Sequence, residues 1–290
     1  MLRLLVADGN NATNRRRVAD VAGMTPGESY AKVLQSLAPE ALVDICTPAD
    51  ADAAIRAPLE VYNGVVFTGS ALNIYKREPE SLRQIAFMRE LLARGASVFG
   101  SCWGLQVAAV AAGGEVGPNP RGREVAFARK LTLTAAGRSH QMHRGRPTVF
   151  DAPAIHGDEI VTLPPKTIVT ACNEVSTAQA AEIRFGAGVF WGVQYHPEYD
   201  FHDVATTILR YGQRLVDENF FQDMSELDRY AADLVELHAD PTRRDIALRL
   251  GLGDDILDPQ KRRCEISNWI AREANPFRAT AKHGRRNSIR

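Results

Sequence analysis

Short apolar runs alternate with helical patterns over roughly the first 200 residues. Few architectures accommodate that alternation. Residues 2–7 (LRLLVA), 42–45, 64–67 (GVVF) and 97–99 read as strands, the third ended by Thr68-Gly69-Ser70. Between them, 29–37 puts Tyr30, Val33, Leu34 and Leu37 on one helical face. Residues 80–94 carry Leu82, Ile85, Met88, Leu91 and Leu92 at steps of three and four, and 102–112 read as an apolar helix. The pattern predicts an α/β protein: an open, mostly parallel sheet flanked by helices.

The character changes after Arg123. β-like runs at 124–128, 130–134, 148–150, 159–163 and 167–171 have no convincing helix among them, and 188–193 (GVFWGV) closes the series. This predicts an antiparallel β addition before the chain returns to the main sheet. From Asp203 the sequence is strand-poor, with helical patterns at 204–215, 224–237, 241–250 and 259–272. The expected organisation is one α/β domain over 1–216, a helical C-terminal extension over 217–274, and a basic tail over 275–290, expected to be mobile. The polar insertion 10–17, with Arg15, Arg16 and Arg17, follows the first strand and reads as a solvated loop at the border of the ligand crevice, with contact to a substrate or partner as the alternative.

Lys+Arg and Asp+Glu are equal at 35 each, so charge offers no argument for nucleic acid or an anionic membrane. No run approaches the roughly 20 apolar residues of a membrane span, and the start lacks the basic and apolar regions of a secretion signal. A cytoplasmic protein is expected. Cys46, Cys102, Cys172 and Cys264 are widely spaced, which argues against a disulfide framework or a structural metal site. No metal and no cofactor is expected.

One cysteine differs from the rest. Phe99-Gly100-Ser101-Cys102-Trp103-Gly104 lies between a strand and an apolar helix, with glycines two residues either side of Cys102. A sharp strand-to-helix turn that presents a nucleophile needs such small neighbours. The free N–H groups of the helix start favour a thiolate and a developing oxyanion. Most cysteines are simply small buried hydrophobes. That reading fits Cys46, Cys172 and Cys264 but not Cys102.

Gly100-Ser101-Cys102-Trp103-Gly104-Leu105-Gln106 resembles the G-x-C-x-G-x-Q signature of class I (triad) glutamine amidotransferases. Gly192-Val193-Gln194-Tyr195-His196-Pro197-Glu198 resembles the G-v-Q-[FY]-H-P-E segment of the same family. The likeness covers about 2–213 and is greatest to stand-alone relatives of the GMP synthase glutaminase domain. Thr68-Gly69-Ser70, Arg121-Gly122-Arg123-Glu124-Val125 and Ile155-His156-Gly157-Asp158 match segments of those relatives, with Ala71 and Ala126 as departures from their pattern.

The resemblance implies a flavodoxin-like amidotransferase fold for 1–216 and a triad of Cys102, His196 and Glu198. Its chemistry is consistent. A thiol attacks an amide once a base takes its proton, an imidazole returns that proton to the leaving nitrogen, and a carboxylate fixes the imidazole tautomer. Oxyanion donors would be the Trp103 amide and that of either Gly69 or Ser70. Gln106 matches the family position that contacts glutamine, whereas His156 and Asp158 either shape the glutamine pocket or form a plain turn.

The implied reaction is glutamine to glutamate and ammonia through a cysteinyl thioester. The residues after 216 are too few for an ATP-binding synthetase. That leaves, as partner, a separate ammonia-accepting synthetase, or an alternative in which the same triad hydrolyses γ-glutamyl conjugates. A non-catalytic scaffold on this fold is the option from another class. The helical extension is expected to pack on the core, with a homo-oligomer contact or synthetase docking as the alternatives.

Overall fold

The computed structural model describes residues 1–272; the expected basic tail and the last two residues of the expected extension lie outside them. Nine strands form one sheet in the order β2-β1-β3-β4-β11-β10-β9-β6-β7. They are β1 (Arg3–Ala7), β2 (Leu42–Cys46), β3 (Gly64–Phe67), β4 (Ser97–Ser101), β6 (Phe127–Leu133), β7 (Val149–Pro153), β9 (Thr167–Cys172), β10 (Ala180–Phe185) and β11 (Gly188–Val193). The five strands from β2 to β11 pair in parallel, and every pairing from β11 onward to β7 is antiparallel. The antiparallel addition therefore extends the main sheet rather than covering it. Only β5 (Glu115–Pro118) and β8 (Asp158–Thr162) pair separately among the described residues.

The central strands β1, β3, β4 and β11 are apolar on both faces, as a sheet covered on both sides requires. On one face α2 (Pro26–Leu37) sets Tyr30, Val33 and Leu34 against Leu4 and Val6. A Thr25–Glu28 capping box and Pro26 at the first helical position start this helix. On the other face α3 (Pro79–Ala93) and α4 (Trp103–Ala111) pack Met88, Leu91, Leu105 and Val107 against Leu5 and Phe67.

A third cluster joins α6 (Phe201–Tyr211) to α8 (Met224–Ala239), α9 (Arg244–Arg249) and α10 (Asp254–Leu257) through Val204, Ile208, Leu227, Leu234, Ile246 and Ile256. After the short α11 (Pro259–Arg262), α12 (Cys264–Arg272) returns to the α2 face of the sheet. Its Trp269 ring lies 5.9 Å from Phe99, and its indole N–H donates to Ser97 Oγ at 3.1 Å. The fully buried Glu265 accepts from Arg146 Nε and Nη2, both at 2.8 Å, with His143 Nδ1 at 3.3 Å.

Several segments depart from the sequence reading. The insertion read as a loop is helix α1 (Ala12–Ala22), capped by Asn11 and ended by Gly23 at φ 77°. No residue of α1 is fully buried, so it has no apolar stripe to reveal it. Arg15 bonds Asp50 and the Asn10 carbonyl rather than standing in solvent. The runs 124–128 and 130–134 are one strand, β6, bulged between Ala128 and Leu131 with Lys130 at φ 52°. Gly212, at φ 43°, splits the helix expected over 204–215 into α6 and the short α7 (Gln213–Asp217). A brief helix, α5 (Ala135–Ser139), interrupts the strand-rich region. No described helix is long and apolar enough to cross a membrane.

Candidate active site

The carboxyl ends of β1, β3, β4 and β11 lie side by side, and the segments that leave them meet at Cys102. Cys102 has φ 50° and ψ −98°, a conformation uncommon for any residue with a side chain. Two features impose it. Its N–H is held by the Val193 carbonyl at 2.7 Å, and α4 begins at the next residue. The flanking glycines are sterically required: a Cβ on Gly100 would lie 2.9 Å from the Gly104 backbone, and one on Gly104 2.8 Å from Phe67 Cβ. The elbow read from the sequence is thus a real, strained turn.

His196 and Glu198 follow β11 into the same cleft. His196 Nδ1 lies 2.8 Å from Glu198 Oε1, and its ring stacks on Tyr199 at 4.1 Å and 10°. The His196 N–H donates to the Pro153 carbonyl at 2.7 Å, which fixes the segment against β7. Burial of the ring pushes its pKa down. The charge of Glu198 and hydrogen bonds with Cys102 and Glu198 outweigh that and raise it to about 10. The environment of the imidazole therefore favours its protonated form. Cys46 and Cys264, by contrast, are pushed up to about 12 chiefly by burial, which makes them poor nucleophiles.

Gly69 packs directly on the imidazole, where a Cβ would stand 2.6 Å from His196 Cε1. Gly69 and Ser70 both border the cleft, while the Trp103 amide opens α4. Gln106 lies one turn into α4, its amide 3.4 Å from the Asp158 carbonyl and 3.4 Å from Gln194 Oε1. The Asp158 carboxylate accepts from Asn73 at 2.8 Å. His156 is turned to other partners: Nε2 meets Glu124 Oε2 at 2.7 Å and Nδ1 meets the Asp158 carbonyl at 3.1 Å. Both nitrogens are engaged by groups other than the Cys102 sulfur.

Several residues of the site carry no signal in the sequence. Ser101 Oγ donates to Glu198 Oε2 at 2.7 Å and sits 3.1 Å from Tyr30 Oη. Asn10 pins the loop after β3, donating to the Gly69 carbonyl at 3.0 Å and accepting from the Ala71 N–H at 3.2 Å. Gln84 accepts from the Trp103 indole at 2.8 Å and donates to the Gly9 carbonyl at 3.0 Å. Each bond spans 19 to 97 residues, so no local pattern announces it.

The sequence model of class-I glutamine amidotransferases matches residues 33–212. The chain belongs to that family. Among its relatives, a γ-glutamyl-L-1-hydroxyisopropylamide hydrolase from a Pseudomonas species is 35% identical over 93% of this chain and 92% of its own length. A GMP synthase from Nitrosomonas eutropha is 34% identical, but over 47% of this chain and 25% of its own. A crystal structure of a glutamine amidotransferase from Thermotoga maritima superposes with a TM-score of 0.65 over 94% of this chain and 98% of its own, at 17% identity, which shows the shared fold. Family membership and the hydrolase relative together make the protein an enzyme of hydrolytic type.

Proposed function

We propose that this amidotransferase-family enzyme hydrolyses γ-glutamyl amides, with Cys102 as nucleophile. The observation that carries the reading is the buried group Glu198, His196 and Cys102, in which the imidazole is oriented by a carboxylate at 2.8 Å and shares one cleft with the sulfur of a strained elbow. The Cys102 thiolate attacks the γ-carbonyl, and the oxyanion is received by the Trp103 amide and that of Gly69 or Ser70. His196 gives its proton to the amide nitrogen, the C–N bond breaks, and the amine leaves with a thioester on Cys102. Water, deprotonated by the now neutral His196, attacks the thioester, the C–S bond breaks, and glutamate leaves with the Cys102 thiolate and the imidazolium restored. Gln106 and Asp158 hold the glutamyl end; His156 shapes that wall through the Asp158 carbonyl.

The choice of γ-glutamyl amide over glutamine alone rests on the hydrolase relative, which matches nearly the whole chain, C-terminal helices included. The second reading is glutamine hydrolysis that feeds ammonia to a separate synthetase. It is favoured by a glutamine-hydrolysing GMP synthase component from Ignicoccus hospitalis, 30% identical over 47% of this chain and 67% of its own. Steady-state kcat/KM for glutamine and for γ-glutamyl alkylamides separates the two. Faster turnover of alkylamides supports the hydrolase. Turnover of glutamine alone, raised by a partner synthetase, would replace it.

A further inference from the structure

The cleft at Cys102 continues past His196 between α1 and α6. Its walls there include Val18, Ala22 and Met24 on one side, and Tyr199, Asp203 and Tyr211 on the other. Its free volume of about 60 Å³ is several times the roughly 10–15 Å³ that seats one water. The cleft as a whole therefore has room for more than ammonia.

The direction of the cleft decides what enters it. In amide cleavage the acyl chain and the leaving nitrogen depart from the carbonyl on different sides. The residues proposed to hold the glutamyl end, Gln106 and Asp158, do not border this cleft, whereas His196, which must reach the leaving nitrogen, does. Resting on the γ-glutamyl amidase reading, we infer that the space between α1 and α6 is the leaving-amine subsite, built for a compact alkylamine. Val18, Ala22 and Met24 meet its hydrocarbon body. The Asp203 carboxylate, at the start of α6, accepts from its N–H or from a polar substituent. Asp203 Oδ2 already accepts from the Asp200 N–H at 3.0 Å, which leaves Oδ1 to the incoming donor. Arg210 also lines the cleft, 5.7 Å over the Tyr211 ring, and makes the subsite less suited to a fixed cation.

The wall on α1 can be altered without touching the proposed catalytic groups, because Val18 and Ala22 are only half-buried. Val18→Trp should fill the subsite and Ala22→Leu should narrow it. With γ-glutamyl isopropylamide, Val18→Trp is expected to lower kcat/KM at least about tenfold, the scale set by steric fit in an apolar pocket. Glutamine turnover should change less than about threefold, since ammonia needs none of this space. Ala22→Leu should shift the ratio the same way by a smaller factor, which covers the case that Val18→Trp fails to fold. An equal loss on both substrates, or none on either, in folded variants overturns the subsite. A wild-type enzyme that cleaves no γ-glutamyl alkylamide overturns the amidase reading beneath it, and that result is visible before any variant is made.

Discussion

Ser101 and Glu198 lie 97 residues apart in sequence, yet Ser101 Oγ donates to Glu198 Oε2 at 2.7 Å while His196 holds the other oxygen at 2.8 Å. The carboxylate is thus clamped at both oxygens, and the residue before the proposed nucleophile helps to aim the imidazole. Tyr30 on α2 extends the chain to the opposite side of Ser101. Ser101→Ala should reduce kcat by roughly 10- to 100-fold, the worth of one hydrogen bond to a charged group. KM should hardly move and the fold should survive. A rise in KM with kcat intact would show that Ser101 shapes the substrate pocket instead.

The pH profile should carry the signature of His196. Its folded pKa of about 10 lies above the ordinary 6.5. The stability it contributes is therefore complete below pH 6.5 and lost as pH rises through about 10. The same proton is needed by the leaving amine, so kcat/KM should fall on an alkaline limb near that value. Glu198→Gln removes the charge that supports the imidazolium and should move the limb to lower pH. An alkaline limb that stays in place would assign it to another group.

Strain at the elbow predicts an inversion of the usual mutational order. Glycine adopts the φ 50° of Cys102 more readily than any residue with a side chain. Cys102→Gly should be more stable than Cys102→Ala by roughly 1–2 kcal/mol. Both should be inactive, with labelling by a glutamine-analogue electrophile lost. Equal unfolding midpoints for the two would deny that the turn stores strain.

Gly69→Ala tests the closeness of the loop after β3 to the imidazole. The new methyl would sit 2.6 Å from His196 Cε1, so the ring or the loop must shift. Activity should fall on the order of 100-fold, as expected for a misplacement near 1 Å, with far-ultraviolet circular dichroism unchanged. Activity within twofold of the parent would mean that the imidazole has room to spare.

Glu265 is held well below the usual carboxylate range, to about 2. Burial pushes it up, but Arg146 and His143 more than reverse that. The sign is that of a depressed acid: the stabilisation is present above the unfolded value of 4.5 and is lost as pH falls through about 2. Glu265→Ala strands the Arg146 guanidinium in the interior and should cost about 3–5 kcal/mol in urea unfolding. A cost typical of a surface substitution would show that water reaches Arg146.

What can be read from the sequence is what is carried by neighbours in the chain. Gly100, Cys102 and Gly104 announce the elbow because its steric demands fall within one short segment. His196 and Glu198 are recognisable from the His-Pro-Glu order just after an apolar strand, although the structure sets them in a turn closed by the Tyr199 N–H on the His196 carbonyl. Helix α1 stays hidden because its contacts are few and its residues polar. The single strand β6 reads as two runs because its bulge at Lys130 breaks the alternation. Ser101, Asn10 and Gln84 escape notice for another reason. Their roles exist only once distant segments meet, and serine, asparagine and glutamine are ordinary loop and helix-face residues until then.

The return of α12 to the sheet has a bearing on how the molecule is made. Trp269 fills space against Phe99, on the strand that leads to the elbow, and Glu265 neutralises a cation beside the strand that leads to the imidazole. A nascent chain halted before Cys264 would have its α/β layers but an open interior and an unpaired Arg146. The last described helix is thus the closing piece of the layer that backs both Cys102 and His196.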